Sequence, residues 1–243
     1  MTELFLTIIT VTKNCAATID RTLDSVSAVK CPGMEYVVVD GVSIDATLES
    51  IRSRGGLVDQ LISESDSGIY NAMNKGVRLA RGRYVLFING DDALVVDGFS
   101  AVIDAMLREQ SEIICATTLV GELACPAEIL VANPWRLPFF NSIPHPSSFV
   151  RRDLLLRSPF REDLRIVSDY DFFLGAYLAG QSFLVLPVVT ALHQRGGASG
   201  NIQCSQAEQE KVRRERLGWR YPLINCVAAL YRHSKRAILG RGT

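Results

Sequence analysis

The chain predicts an α/β protein built on a mixed, mostly parallel sheet flanked by helices, with a helical extension at its C-terminus. Two observations in its first half carry that reading. Compact β-branched runs alternate with segments of helical period, and the connections between them are short. Polar and acidic residues also gather where the apolar runs end, at the sheet edge where such folds bind ligands.

The elements follow in order. Leu4–Val11 is a first strand, apolar enough to be buried on both faces. Ala17–Val29 is a helix, with Ile19, Leu23, Val26 and Val29 on one stripe. Glu35–Asp40 is a second strand. A short helix follows over Ala46–Arg54, with Ser43 and Asp45 as candidate caps. Leu57–Ser63 reads as a third strand, and Gly68–Ala80 as a helix with Ile69, Met73, Val77 and Ala80 on one face. Gly82–Asn89 is a fourth strand, and a helix that Asp97 can cap runs to Gln110.

The second half is less regular. Asn133–Leu155 is rich in proline and aromatic residues and suggests a shaped loop leading to a strand and a short helix. Ser168–Gly180 reads as a helix with its acids in the first turn. Ser182–Gln194 is strand-like but broken by Pro187, and from Gln203 onward the chain is helical and basic.

Composition excludes several classes. The chain has 243 residues and is 48% hydrophobic, enough for a real core. Lys and Arg number 26 against 26 Asp and Glu, so nothing draws the whole molecule to nucleic acid. The six cysteines form no C-x-x-C pair, which argues against a zinc ribbon and for free thiols. The N-terminus lacks the basic region and cleavage site of a signal peptide. No apolar stretch reaches the roughly 18–20 residues of a membrane span. The expected location is cytoplasmic, with peripheral attachment to the inner face of the membrane left open.

Asp91 and Asp92 stand side by side at the end of the fourth strand. Three readings fit them: a solvated turn, a nucleophile or acid/base pair, or a divalent metal site. Mg²⁺ and Mn²⁺ take carboxylate oxygens together with substrate phosphates, and a cation relieves the repulsion of two like charges.

The ordered set "VVVDGVSIDAT", "SDSGIYNAMNKG", "ARGRYVLFINGDD" and "SDYD" resembles the family 2 glycosyltransferases of GT-A fold, closest to the bacterial exopolysaccharide and colanic-acid-type branch. The resemblance covers roughly residues 4–199. It implies a glycosyltransferase domain over 1–200, split into a nucleotide-sugar-binding half (1–110) and an acceptor half (111–200), with a basic helical extension over 201–243. Further roles come from the resemblance alone. Thr10, Thr12 and Asn14 would line the nucleotide pocket, Asp40 would read the base, and Asp66 would help close the pocket. Asn74 matches the A-R-N-x-G segment, where Met73 replaces the arginine and Lys75 is a candidate substitute. Asn89 would bond a ribose hydroxyl. Asp91 leads as metal ligand, with Asp92 second and His193 third.

Asp169 matches the catalytic base that deprotonates the acceptor hydroxyl; capping of its helix is the plainer reading of the same acid. His145 is a candidate acceptor-site residue, and the G-G-x-S loop near His193 would lie over a diphosphate. The implied reaction is inverting and needs Mn²⁺ or Mg²⁺. It moves a sugar from a nucleotide diphosphate sugar, UDP-linked by preference, to a glycan or lipid-linked glycan in cell-surface polysaccharide synthesis. The basic C-terminal helix would meet the membrane surface. The rival readings are a nucleotidyltransferase, a phosphatase acting through Asp91, and a catalytically weak nucleotide-sugar binder.

Overall fold

The computed structural model describes residues 4–121, 125–194 and 202–227. Four parallel strands carry the first half: β1 (Leu6–Thr12), β2 (Met34–Asp40), β3 (Gln60–Ser63) and β4 (Tyr84–Phe87). Helices α1 (Ile19–Val29), α2 (Thr47–Ser53) and α3 (Ile69–Leu79) connect them. Beyond β4 come β5 (Ala93–Leu94), α4 (Phe99–Arg108), β6 (Ile113–Gly121), β7 (Pro126–Val131) and β8 (Ser148–Arg151). Then follow α5 (Arg152–Arg157), α6 (Ser168–Leu178), β9 (Phe183–His193) and α7 (Ile202–Leu217).

Among the described residues the strands form one sheet in the order β3-β2-β1-β4-β8-β6-β9-β5, with β7 paired to β6. The chain moves outward from β1 through β2 to β3, then crosses to β4 on the other side of β1. The crevice beyond the carboxyl ends of β1 and β4 is therefore a topological switch point. The second half joins the same sheet through β8, which lies antiparallel between β4 and β6.

Strand periodicity divides the core. Ile9, Val11, Val37, Val39, Val85 and Phe87 face α3 and α6. Leu6, Ile8, Tyr36, Val38, Leu86 and Ile88 face α1 and α4. Each of these strands is apolar on both sides because helices cover both sides. Gly76 lets α3 lie directly on β1: a Cβ there would come within 2.6 Å of Ile9 Cγ2.

Several expectations are corrected. The third strand is shorter than the apolar run and starts at Gln60. Asp97 does not cap α4; it lies in a 3₁₀ turn, and Gly98 holds the cap position. Pro187 does not break β9. The pairing of β6 with β9 steps from Cys115↔Val185 to Thr117↔Val189, so Pro187 sits in a bulge where no ladder N–H is needed. Strands β6 and β7 belong to the part that reads as irregular. The basic tail over 228–243 and the glycine loop over 195–200 lie outside the described residues.

Glu35 is a buried acid that ties the first half together. Its carboxylate accepts from Thr7 Oγ1 (2.9 Å), Gln60 Nε2 (2.8 Å), Arg81 N (2.9 Å) and Arg81 Nε (2.6 Å). Burial pushes its carboxyl up, but the hydrogen bonds outweigh burial and hold it below its ordinary 4.5. A depressed carboxyl stabilises the fold above its unfolded value and ceases to do so as pH falls through the folded one. Glu35→Ala should cost about 2–3 kcal/mol. Urea denaturation of the variant and the wild type measures the loss, and the gap between them should shrink as pH drops below 4.5.

Candidate active site

A cleft of about 1160 Å³ opens at the switch point. Thr12, Asp66, Met73, Asn89 and Asp91 line it from the first half, and His145, Asp169 and His193 from the second.

The loop after β4 is held from below by α1. Thr18 Oγ1 donates to Gly90 O (2.7 Å), Arg21 Nη2 to Asp91 O (2.5 Å) and Thr22 Oγ1 to Asp92 O (2.6 Å), while Ser25 Oγ accepts from Leu94 N (2.9 Å). Residues 18, 21, 22 and 25 fall on one helical stripe. That polar stripe stands in the sequence beside the apolar one, and a reading of the apolar positions alone passes over it. Gly90 permits close approach: a Cβ there would lie 2.8 Å from Thr12 Oγ1 and 3.2 Å from Cys15.

The two aspartates divide their work. Asp92 is fully buried behind the cleft. Its Oδ1 lies 2.7 Å from His193 Nδ1 and accepts from Gln194 N (3.2 Å), while its Oδ2 has no partner. The Asp92 carboxylate raises the His193 imidazole above its ordinary 6.5. Asp91 faces the cleft, and burial followed by the neighbouring Asp92 charge pushes its carboxyl up. A raised acid beside unpartnered oxygens, Asn89 Oδ1 among them, is a set of hard donors suited to a divalent cation. Among the described residues, however, no three His, Cys, Asp or Glu side chains form a ready-made metal cluster. The donors fit an ion only if substrate oxygens complete its shell.

Across the cleft, Asp169 lies in the first turn of α6 and is almost fully buried. Its Oδ1 accepts from Tyr170 N (2.8 Å) and lies 3.1 Å from Tyr70 OH. Its Oδ2 lies 3.5 Å from His145 Nδ1. His145 Nε2 lies 3.4 Å from Asn89 Nδ2. If the Nδ1–H tautomer faces Asp169, the free Nε2 accepts from Asn89. A chain of contacts thus runs from the acid of α6 to the loop carrying Asp91.

The other expected pocket residues divide between the cleft, its surrounding loops and the interior. Thr10 is in the core, where its Oγ1 accepts from Tyr36 OH (2.9 Å). Asp40 ends β2 as expected but is fully buried, accepting from Ser43 N (3.0 Å), Ser43 Oγ and Ser63 Oγ (2.7 Å). Asn14 adopts φ 53° and binds the loop before α2, its Oδ1 accepting from Ile44 N (2.9 Å). Asp66 lines the cleft and accepts from Gly68 N (3.0 Å). Asn74 is buried and grips Phe160 and Glu162. Lys75 pairs with Glu64 (2.9 Å) and donates to Ser65 O (2.7 Å), so it does not stand in for the missing arginine in the cleft. For Thr10, Asp40 and Asn74 the reason is common: these polar atoms are already used inside the protein.

Similarity to known proteins agrees with this architecture. The S. aureus TarS 1–349 structure in complex with UDP-GlcNAc superposes with TM-score 0.69 at 17% identity, covering 90% of this chain and 73% of that one. Glucosyl-3-phosphoglycerate synthase from Mycobacterium tuberculosis, solved with Mn²⁺, UDP and glucosyl-3-phosphoglycerate, gives 0.64 at 17% identity, covering 88% and 80%. The sheet order and the switch-point cleft define a GT-A glycosyltransferase fold. In sequence, the chain is 30% identical over 227 residues to the PGL/p-HBAD biosynthesis glycosyltransferase of Mycobacterium bovis, covering 89% of this chain and 88% of that protein. Residues 7–145 match Glycosyl transferase family 2, and the chain belongs to that family.

The raised imidazole gives a direct check. A histidine raised by a partner stabilises the fold fully below its unfolded value, and the contribution is lost as pH rises through the folded one. In metal-free protein, the NMR titration midpoint of His193 should lie above 6.5, and Asp92→Asn should bring it down.

Proposed function

We propose that the protein is an inverting, metal-dependent glycosyltransferase with a nucleotide diphosphate sugar as donor, UDP-linked by preference. Its acceptor is a hydroxyl of a growing, lipid-linked glycan. The observation that carries the reading is the continuous contact from Asp169 through His145 to Asn89, which joins a buried acid to the Asp91 loop across one cleft. UDP and Mn²⁺ in the structure of a protein of like fold support the donor class and the ion.

The chain's own groups then have defined tasks. Asp169 takes the proton of the acceptor hydroxyl as that oxygen bonds to the anomeric carbon. The bond to the nucleotide diphosphate breaks on the opposite face, and its electron pair leaves with the diphosphate. One displacement of this kind inverts the anomeric centre. Asp91 and the Nε2 of His193 would hold Mn²⁺ or Mg²⁺, with Asp92 fixing the imidazole from behind. When bound, the ion supplies positive charge to the departing diphosphate. Thr12, Asp66 and Met73 form the donor wall, and His145 bounds the acceptor side.

No described helix is long and apolar enough to cross a membrane. Trp219, Leu223 and Val227 are exposed at four-residue spacing near the end of the described chain. From Arg216 onward every Asp, Glu, Lys or Arg in the sequence is a Lys or Arg. An apolar stripe in a basic segment favours contact with an anionic bilayer surface. Sedimentation with phosphatidylglycerol vesicles should carry the protein down at low salt. Trp219→Ser with Leu223→Ser should leave it in the supernatant.

The catalytic assignment is tested with a panel of UDP-sugars. Mn²⁺ together with the right donor should raise the melting temperature of the wild type, and Asp91→Ala should abolish that rise. Asp169→Asn should keep the rise but slow transfer by about 10²–10⁴-fold. Wild-type transfer by both variants would end the assignment. A donor that binds but is neither transferred nor hydrolysed would identify a binding protein.

A further inference from the structure

The segment "SGIYNAMN" opens α3, and resemblance ties it to the donor. Its polar side chains point to a different task. Asn74 Nδ2 donates to Phe160 O (2.9 Å) and Glu162 Oε1 (2.9 Å), and Asn74 Oδ1 accepts from Phe160 N (3.0 Å). Asn71 Nδ2 donates to Glu162 Oε2 (2.8 Å). Tyr70 OH lies 2.7 Å from Ile166 O and 3.1 Å from Asp169 Oδ1. Every one of these partners lies on the stretch that leads into α6 and ends on the acid assigned above as the base. The Tyr70 ring packs beside Phe160, with centroids 5.6 Å apart.

Tyr70 has one hydroxyl proton and two acceptors within reach. When Asp169 is ionised, the proton is best placed on its Oδ1, because a charged acceptor makes the stronger bond. When Asp169 is protonated, the Ile166 carbonyl is the better acceptor. Burial and the Asp169 charge push the phenol well above its ordinary value, so Tyr70 stays a donor and does not compete as the base. Tyr170 N is the second donor to the same oxygen, so Oδ2, which faces only the His145 ring at 3.5 Å, is the oxygen left to receive a proton.

We propose that Tyr70 is a positioning residue for the base, its hydroxyl turning between Asp169 and the Ile166 carbonyl, and that Asn71 and Asn74 make α3 the clamp on the base-bearing segment. This rests on Asp169 being the base. The proton balance is simple: Asp169 gains the acceptor's proton, while Tyr70 keeps its own and reorients. The other titratable and charged groups around Asp169 are His145, 3.5 Å from its Oδ2; Glu208 of α7, which accepts from the amides of Arg165, Ile166 and Val167; and Arg165 and Asp91, which line the same cleft.

The test is a ¹³C NMR titration of the Asp169 carboxyl in the full chain, assigned by its loss in Asp169→Asn. Removing a donor from an ionised carboxylate raises its pKa. Tyr70→Phe keeps the ring and should move the midpoint to higher pH. The same shift should persist in a His145→Gln background, where the imidazole is gone. With a UDP-sugar that is turned over, Tyr70→Phe should also lower kcat about 10-fold or more at unchanged donor KM, and move the acid limb of the rate upward with the carboxyl. An unmoved midpoint overturns the inference. A moved midpoint with transfer intact in Asp169→Asn keeps the contact, removes the positioning role, and places the failure in the base assignment. Asn74→Ala should lower the melting temperature and raise amide exchange over residues 160–169; normal protection there overturns the clamp.

Discussion

β1 is buried on both faces and paired along both edges, and the order of the sheet reverses around it. The geometry of the cleft depends on that constraint. A strand between two parallel neighbours can end only at the sheet edge, and there its exit faces that of β4. The loop after β4 then has to turn over the end of β1, which Gly90 makes possible by leaving room for Thr12. The polar stripe of α1 fixes the loop by its carbonyls, so the side chains of Asn89 and Asp91 are left to the cleft. The acidic pair is thus carried by backbone hydrogen bonds on one side and by His193 on the other.

Much of the first half was legible because local and global signals agree there. The apolar positions of α1 that share a helical face are all buried, and the alternation of β1 sorts its side chains to two cores. The second half resisted for a physical reason. β6 and β7 pair with each other, but β6 also pairs along most of its length with β9, some seventy residues on in the chain. No local period announces such a pairing, and a proline in a bulge looks the same in sequence as a proline that ends a strand.

The candidate site was legible in part. Asp91, His145, Asp169 and His193 do meet around one cleft, while Thr10, Asp40 and Asn74 turn inward. Sequence names the residue at a strand end but not the direction of its carboxylate. At Asp40 the deciding partners are Ser43 and Ser63, one in the next loop and one on the neighbouring strand. At Asn74 they lie more than eighty residues away. Within one motif, then, some side chains line the cleft, as Asp66 and Met73 do, while another, Asn74, is held by the frame around it.

The asymmetry between the two aspartates shows how the cleft stays organised. Two carboxylates this close cannot both be left bare without cost. Asp92 is committed to His193 and the Gln194 amide, which fixes one charge in place. Its field then bears on Asp91, whose carboxyl is also half-buried, and both effects oppose ionisation there. A positive group beside Asp91 would offset that repulsion and favour its ionised form. On the opposite wall Asp169 has donors on Oδ1 and only a distant imidazole on Oδ2. The two walls of the cleft thus hold their acids differently: Asp91 is opposed in its ionisation by burial and by Asp92, while Asp169 is held at one oxygen by two donors and meets an imidazole at the other.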